Sequence, residues 1–254
     1  MFRRLRALLI TDPLILIATA AMGTLSLVVS FWDDNGRRQH KVAQLWGRML
    51  VSIGRIRLEV DGLERLQPGE TYVFASNHRS LMDIPVSLAA IPLPFRFLAN
   101  DYLWRWPFVG MHLRRAGHFP VAPANARESL KSMSAAARTI ARSGVSILLF
   151  PEGGRTHGEM KPFRDGAAYI AIKAGVPLVP VAMIGMREIL PLGSGYVMGG
   201  PVKVRIGDPI STGGLGLHDR EALTRQLFDA VTELLRDGRD AAVPVHGTTA
   251  DQSG

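Results

Sequence analysis

A run of 20 residues without a charged side chain, from Pro13 to Trp32, constrains the fold more than any other feature of this chain. At about 1.5 Å per residue, a helix of this length spans roughly 30 Å, the thickness of the hydrocarbon layer of a bilayer. A buried core helix is one alternative, and a signal peptide with Ala18-Thr19-Ala20 as its cleavage site is another. Because Asp12-Pro13 interrupts the apolar region of such a signal and the run continues past Ala20, we expect a membrane-associated helix.

A second helical pattern follows this run, with an apolar stripe on one side and basic residues on the other. The stripe is Val42, Leu45, Trp46, Met49, Leu50 and Ile53, and the basic side is Arg37, Lys41, Arg48 and Arg55. Such a helix either lies in the lipid interface or packs on a protein core. Basic residues flank the apolar run on both sides, so they favour a helical hairpin with its turn at 33–36 over a single crossing. We therefore predict a membrane-associated helical hairpin over residues 1–55, at the cytoplasmic face of the cell membrane.

The remainder reads as one α/β domain, because short apolar runs of strand length alternate with helical patterns from Ile56 onward. The continuous apolar run at 145–150 is typical of a buried central strand. Asn125 followed by Glu128 is a capping-box pattern that starts a helix, and the last helix is expected to end at Gly238. The prediction is a single, mostly parallel mixed sheet with helical cover over residues 56–240. Residues 241–254 are polar and are expected to form a disordered tail.

Composition removes several classes of function. The absence of cysteine excludes disulfides, thiolate nucleophiles and zinc–thiolate sites. The 30 basic and 22 acidic side chains give a net charge of +8, which indicates an anionic partner such as a membrane surface or a phosphorylated substrate. Aromatic residues make up only 7%, which leaves little for base stacking, and we expect no nucleic-acid partner. Histidine and glycine spacings match no metal or nucleotide motif, so neither a metal nor a cofactor is predicted.

One cluster of polar residues follows the second predicted strand, at 71–76. His78 then lies in a loop at the carboxyl end of a strand, where open α/β sheets bind their ligands. Pro85 belongs in a first helical turn, which makes Asp83 a plausible N-cap and lets its carboxylate orient the imidazole as a general base. The spacing is weak by itself, since His246 and Asp251 repeat it in the tail. A purely structural histidine is the alternative.

A second polar cluster follows the buried run at 145–150. The paired glycines Gly153 and Gly154 let the backbone approach a ligand closely. Arg155 offers a guanidinium fork suited to phosphate, and Glu152 adds a carboxylate beside it. Taken alone, this segment is equally consistent with a generic loop that contains an ion pair.

Together, Asn-His-x4-Asp at 77–83 and Phe-Pro-Glu-Gly-x-Arg about 70 residues later resemble the glycerolipid acyltransferases of the 1-acyl-sn-glycerol-3-phosphate acyltransferase type. The resemblance runs from about 58 to 210 and includes the Phe-Arg-Asp-Gly segment at 163–166 and the proline-bearing strand at 176–181. It implies that His78 and Asp83 are the catalytic pair. It also implies that Glu152, Gly153 and Arg155 bind the substrate.

The resemblance implies a membrane-bound enzyme that needs no cofactor. A fatty acyl chain would move from an acyl-CoA or acyl carrier protein thioester to the free hydroxyl of lysophosphatidic acid, giving phosphatidic acid. The family usually has a lysine where Asn100 stands and an arginine near Pro123, so a different lysolipid or polar-lipid acceptor stays open. A non-catalytic lipid-binding membrane protein is the second alternative. A serine hydrolase is disfavoured, because the chain lacks Gly-x-Ser-x-Gly.

Overall fold

The computed structural model describes residues 2–33, 35–106, 109–122, 124–155 and 158–240, without the side chains of Phe2 and of residues 237–240. The predicted tail at 241–254 lies outside these residues. The strands are β1 (Ile56–Asp61), β2 (Val73–Ser76), β3 (Phe95–Asn100), β4 (Phe119–Val121), β5 (Ser146–Leu149), β6 (Leu178–Ile184) and β7 (Gly200–Ile206). The α-helices are α1 (Phe2–Arg6), α2 (Asp12–Val29), α3 (Arg37–Ile53), α4 (Asp83–Ala90), α5 (Val109–Arg115), α6 (Ala126–Ser143), α7 (Gly166–Ala174), α8 (Met186–Ile189) and α9 (Arg220–Asp240).

The described strands form one seven-stranded sheet in the order β1-β7-β6-β2-β5-β3-β4. The five neighbouring strands β6, β2, β5, β3 and β4 all pair in parallel. Strand β7 is antiparallel to β6 and parallel to β1. The predicted fold, a single mostly parallel mixed sheet with helical cover, is confirmed. Because β2 and β5 are neighbours and point the same way, the loops that follow them lie side by side at one edge of the sheet, the carboxyl edge.

Both faces of the central strands are covered. Along β2, Val73 packs into the core on one side, under α6, α7 and α9, while Phe74 packs into the core on the other side, under α3 and α4. This alternation follows from the two-residue period of a strand. All four residues of β2 are buried, as expected for a parallel strand with helices on both faces.

The amino-terminal helices pack against each other and against the sheet domain. A π-helical segment, Ala7–Thr11, joins α1 to α2, and α2 and α3 are in contact after a turn in which Gly36 has a φ of +68°. In the described part of the chain, Arg3–Trp32 is the one helix whose length and hydropathy would suit a membrane span. Its outer side chains are exposed and apolar, with Leu9, Leu16 and Trp32 each at least two-thirds exposed.

The striped helix α3 lies against protein along much of its apolar side. Gly47 comes so close to α4 that a Cβ there would lie 2.6 Å from the carbonyl oxygen of Pro85. Leu50 is buried and Trp46 and Met49 pack on the core, whereas Leu45 is half exposed. The packing therefore follows the core-packing alternative for most of the stripe.

Three local details differ from expectation. Helix α4 begins at Asp83 itself, and Met82 occupies the N-cap position. Helix α9 does not end at Gly238 but continues to Asp240, because a glycine inside a helix costs only about 1 kcal/mol. Strand β4 and helix α5 had no clear sequence signal. The start of α6 agrees with the capping pattern, since the Asn125 side chain accepts a hydrogen bond from the Glu128 N–H at 3.1 Å.

Candidate active site

The loops after β2 and β5 bring the two polar clusters together at the carboxyl edge. Asn77 fixes the start of the first loop, because its side-chain amide donates to the carbonyl of Met183 at 3.0 Å and accepts from the N–H of Met183 at 2.8 Å. The loop is thereby attached to the neighbouring strand β6. From the second loop, the ring of Phe150 stacks on the imidazole of His78, with 4.1 Å between ring centroids.

His78 and Asp83 form a close pair. The imidazole Nδ1 lies 2.6 Å from Asp83 Oδ2, and the Asp83 side chain is fully buried. The same oxygen accepts hydrogen bonds from the backbone N–H groups of Arg79, at 2.7 Å, and Ser80, at 2.9 Å. A carboxylate held by two backbone donors orients the ring and selects the tautomer with its proton on Nδ1. The lone pair of Nε2 is then available to accept a proton.

Glu152 lies beneath this loop, not at an open surface. Its fully buried carboxylate accepts from the backbone N–H of His78 at 2.7 Å and from that of Lys161 at 2.9 Å. The guanidinium of Arg79 lies 3.4 Å from its second oxygen. These protein donors occupy the carboxylate, so the geometry favours a role in joining the two loops over direct contact with a substrate.

The two remaining predicted binding residues lie in the open part of the second loop. Gly153 has a φ of +75°, and a Cβ there would lie 2.9 Å from the Arg164 guanidinium. No atom of the described residues lies within 4 Å of the Cβ position of Gly154. Within the described residues, the half-buried Arg155 has no hydrogen-bond or ion-pair partner, so its guanidinium is free to bind an anion.

The two positions at which the resembled family usually has basic residues, Asn100 and the neighbourhood of Pro123, are a separate matter. Asn100 ends β3, and its side chain accepts from the N–H of Tyr102 at 3.4 Å, so it caps the following turn. Pro123 lies outside the described residues. No group of three or more side chains suited to metal binding occurs among the residues described.

A cavity of about 580 Å³ lies between the helices α2 and α3 and the sheet domain. Its lining is mostly apolar and includes Leu16, Trp46, Leu88 and Leu103. Ile84, the neighbour of Asp83 along α4, also lines it. Sequence patterns gave no indication of this cavity or of the backbone donors at Arg79 and Ser80, because both depend on contacts between distant segments.

Comparisons with known proteins agree on one family. A family model described as acyltransferase matches residues 57–184. The 1-acyl-sn-glycerol-3-phosphate acyltransferase BAT2, chloroplastic, of Brassica napus is 32% identical over 182 residues, which are 70% of this chain and 52% of that protein. The human 1-acyl-sn-glycerol-3-phosphate acyltransferase alpha is 30% identical over 190 residues, or 72% of this chain and 67% of that protein. The chain spans about half the length of the first of these curated relatives.

The fold has a counterpart of known structure. The crystal structure of the 1-acyl-sn-glycerophosphate (LPA) acyltransferase PlsC from Thermotoga maritima matches with a TM-score of 0.78. The match covers 99% of this chain and 100% of that one, at 23% sequence identity. At this level of identity the similarity concerns the fold, including the amino-terminal helices.

Proposed function

Since the chain belongs to the acyltransferase family, as its resemblance to the glycerolipid acyltransferases predicted, we propose that it transfers a fatty acyl chain from a thioester to lysophosphatidic acid. The product would be phosphatidic acid. The observation that carries the proposal is the 2.6 Å contact between His78 and Asp83 at the carboxyl edge, beside a glycine loop whose Arg155 has no ion-pair partner among the described residues. The donor is an acyl-CoA or an acyl carrier protein thioester.

His78 acts as the general base in the first step. Its Nε2 takes the proton from the acceptor hydroxyl while Asp83, fully buried, stabilises the imidazolium that forms. The acceptor oxygen attacks the thioester carbonyl carbon and forms the new C–O bond. Because the acceptor itself is the nucleophile, no acyl-enzyme intermediate forms, which is consistent with a chain that lacks cysteine.

The tetrahedral intermediate then breaks its C–S bond. The thiolate leaves and takes the proton from Nε2, which regenerates the neutral imidazole and releases a free thiol. The stacked ring of Phe150 supports this exchange by holding the imidazole in one plane between the two loops. Glu152 contributes indirectly, since it binds the His78 N–H at 2.7 Å and so fixes the backbone from which the base projects.

Arg155 is proposed to bind the phosphate of the acceptor. Its guanidinium fork matches phosphate oxygens geometrically, and the preceding residue, Gly154, adds no side chain to this part of the loop. Because Asn100 supplies no cation, acylation of another lysolipid or of a polar-lipid hydroxyl is the alternative outcome of the acceptor test described below.

We further propose that residues 1–55 form a monotopic membrane hairpin on the cytoplasmic face and that residues 56–240 form the catalytic domain. Contacts at the amino terminus support this arrangement. Arg3 donates to the carbonyl of Gly199 at 2.5 Å, and Asp12 accepts from the N–H of Val197 at 3.0 Å. A helix that crossed the bilayer once would separate Arg3 from the catalytic domain.

The decisive experiment measures acyl transfer by the purified chain in lipid nanodiscs. Both thioester donors are offered with lysophosphatidic acid, with a zwitterionic lysolipid and with monoacylglycerol. His78→Ala should lower the rate by about 10²–10⁴. His218→Ala is a matched control, because the His218 side chain is largely exposed and its Nε2 lies 3.3 Å from the neighbouring Asp219 carboxylate. An active His78→Ala variant would refute the mechanism, and wild-type protein that binds lysolipids without transfer would indicate a lipid-binding protein.

A further inference from the structure

The cavity beneath the amino-terminal helices has one polar end. This polar end consists of Ser26, Gln39, His40, Arg96, His112 and His118. It lies at the turn between α2 and α3, where a Cβ on Gly36 would lie 2.6 Å from the Arg96 guanidinium. The other lining residues are predominantly apolar, so these six form a distinct region.

Most polar atoms of this region have partners within the protein. Ser26 Oγ lies 2.9 Å from His112 Nδ1, and His118 Nδ1 accepts from the N–H of Phe97 at 2.9 Å. The guanidinium of Arg96 donates to the carbonyl of Asn35 at 2.7 Å. The polar end is therefore an organised hydrogen-bonded network.

Two atoms of the network have no hydrogen-bond partner among the described residues. They are Gln39 Oε1 and His40 Nε2, and their side chains are 0% and 5% exposed, respectively. Burial, reinforced by the nearby charge of Arg96, lowers the pKa of His40 to about 4, while a hydrogen bond to the Leu93 backbone opposes this shift. A neutral imidazole with its proton on Nδ1 has Nε2 as an acceptor, so both unpaired atoms can accept a hydrogen bond. Buried acceptors in native proteins nearly always receive a donor, which a bound molecule can supply.

The polar end lies toward the amino edge of the sheet, because Arg96 and Val73 both pair with Ile147 and Val73 precedes His78 by five residues. Arg96 is at the start of β3 and Ala99 is near its end, and both line the cavity, which therefore extends about 10 Å along the strand. Ile84, which follows Asp83 in the first turn of α4, also borders the cavity. A hydrocarbon chain that enters from the active site would meet the polar end around its middle or beyond.

We propose that the polar end binds a hydroxyl group carried on the hydrocarbon chain of a lipid substrate, at a position distant from the reacting carbonyl. The hydroxyl donates its proton to Gln39 Oε1 or His40 Nε2, and the apolar lining holds the methylene groups. The inference rests on the proposed function for the identity of the ligand as a substrate. The chain belongs either to the thioester donor or to the acceptor, and each is tested separately.

Binding is measured on full-length His78→Ala protein in nanodiscs, so that the result does not depend on turnover. The probes are fatty acids of equal length, with no hydroxyl, a hydroxyl near the carboxyl group or a mid-chain hydroxyl. We expect the mid-chain compound to bind about five- to tenfold more tightly than the unsubstituted one, the increment typical of one hydrogen bond. Equal affinities for all three would overturn the proposal and indicate that water satisfies the polar end.

Variants test the residues. The double variant Gln39→Met/His40→Phe removes both unpaired acceptors and keeps side chains of similar size, so the preference should disappear without loss of affinity for the unsubstituted acid. Thr24→Val is the control, because Thr24 lines the same cavity but its hydroxyl is already bound to the Ala20 carbonyl at 2.9 Å. If the double variant does not fold, Gln39→Met and His40→Phe, which keeps a ring against Phe95, are measured singly, and the variant that removes the acceptor in use should lose the preference. An unchanged preference in these variants would refute the assignment.

The source of the chain is decided with active protein. Hydroxylated chains are placed in turn on the donor and on the lysolipid acceptor, and kcat/KM is compared with that of the unsubstituted substrate. A five- to tenfold preference on one substrate assigns the cavity to it. If the protein prefers the mid-chain hydroxyl compound in binding but transfers no acyl chain with any substrate, the assignment of the polar end as a hydroxyl-binding region is supported and the proposed acyltransferase function is refuted.

Discussion

Replacing Asp83 with asparagine separates orientation of the base from folding. The substitution keeps the size of the side chain and an oxygen that can still accept from the Arg79 and Ser80 N–H groups. It removes the negative charge beside His78, 2.6 Å from Nδ1. The remaining asparagine amide would occupy the position of Oδ1, a buried atom without a partner in the described structure. Leaving this amide unpaired costs about 1–3 kcal/mol of stability, which lowers Tm without unfolding the domain.

The expected kinetic effect follows from the lost charge pair. Two unit charges about 4 Å apart interact by about 4 kcal/mol at an effective dielectric constant of about 20. This stabilisation exists only after the imidazole has taken its proton, so it lowers the barrier and leaves ground-state binding unchanged. Since each 1.36 kcal/mol corresponds to a factor of about ten in rate, Asp83→Asn should lower kcat by about 10³. The KM of either substrate should change little.

The assay is initial-rate acyl transfer in nanodiscs, with the folded fraction measured on the same samples. Asp165→Asn is the matched control, because this carboxylate forms a partly exposed 3.3 Å pair with Arg220. The double variant His78→Ala/Asp83→Asn should be no slower than His78→Ala, since residues that act as a unit are not additive. Retention of more than about a tenth of kcat by folded Asp83→Asn would refute the reasoning, as would a loss confined to KM.

Three further predictions concern the loop and the hairpin. Arg155→Lys keeps the positive charge but loses the guanidinium fork, so the KM for lysophosphatidic acid should rise about tenfold while the KM for the donor is unchanged. If the acceptor KM of the variant equals that of the wild type, Arg155 has no role in binding the acceptor. Gly153→Ala should destabilise the protein by about 1–2 kcal/mol because Gly153 has a positive φ, and it should reduce transfer because the new Cβ would clash with Arg164. Gly154→Ala is the control, since the space around its Cβ position is open, and it should change neither the melting temperature nor the transfer rate. Single cysteines replacing Arg3 and Ser211 should both react with an impermeant thiol reagent from the cytoplasmic side, and labelling from opposite sides would establish one crossing.

Much of the catalytic domain was predictable because its signals are local. The buried strand β5 and the helix start at Asn125 follow from runs and caps within a few residues. Strand β4, with three residues, has no such signal and exists because it pairs with β3. The order of the strands depends on which apolar faces meet across the sheet, and no single segment contains that information.

In the candidate active site, too, local features could be predicted from the sequence and contacts between distant segments could not. The spacing of His78 and Asp83 was visible in the sequence, but the role of Glu152 was not. Its carboxylate meets the His78 backbone from 74 residues away, which only the adjacency of β2 and β5 brings about. In the sequence Glu152 appears next to Arg155 and suggests an ion pair with it. In the structure the Glu152 side chain is fully buried within the protein, whereas the Arg155 side chain is half-buried and does not pair with it.

The weakness of the spacing as a signal has a physical explanation. A histidine and an aspartate five residues apart can meet only if the chain between them folds back, and this requires partners for its backbone. In the described loop, Asp83 supplies these partners itself by binding two N–H groups, while Glu152 binds a third at His78. The base is therefore fixed twice, through its ring by one buried carboxylate and through its backbone by another. A sequence search that requires both carboxylates, each after a neighbouring parallel strand, tests for this geometry, whereas the spacing alone does not.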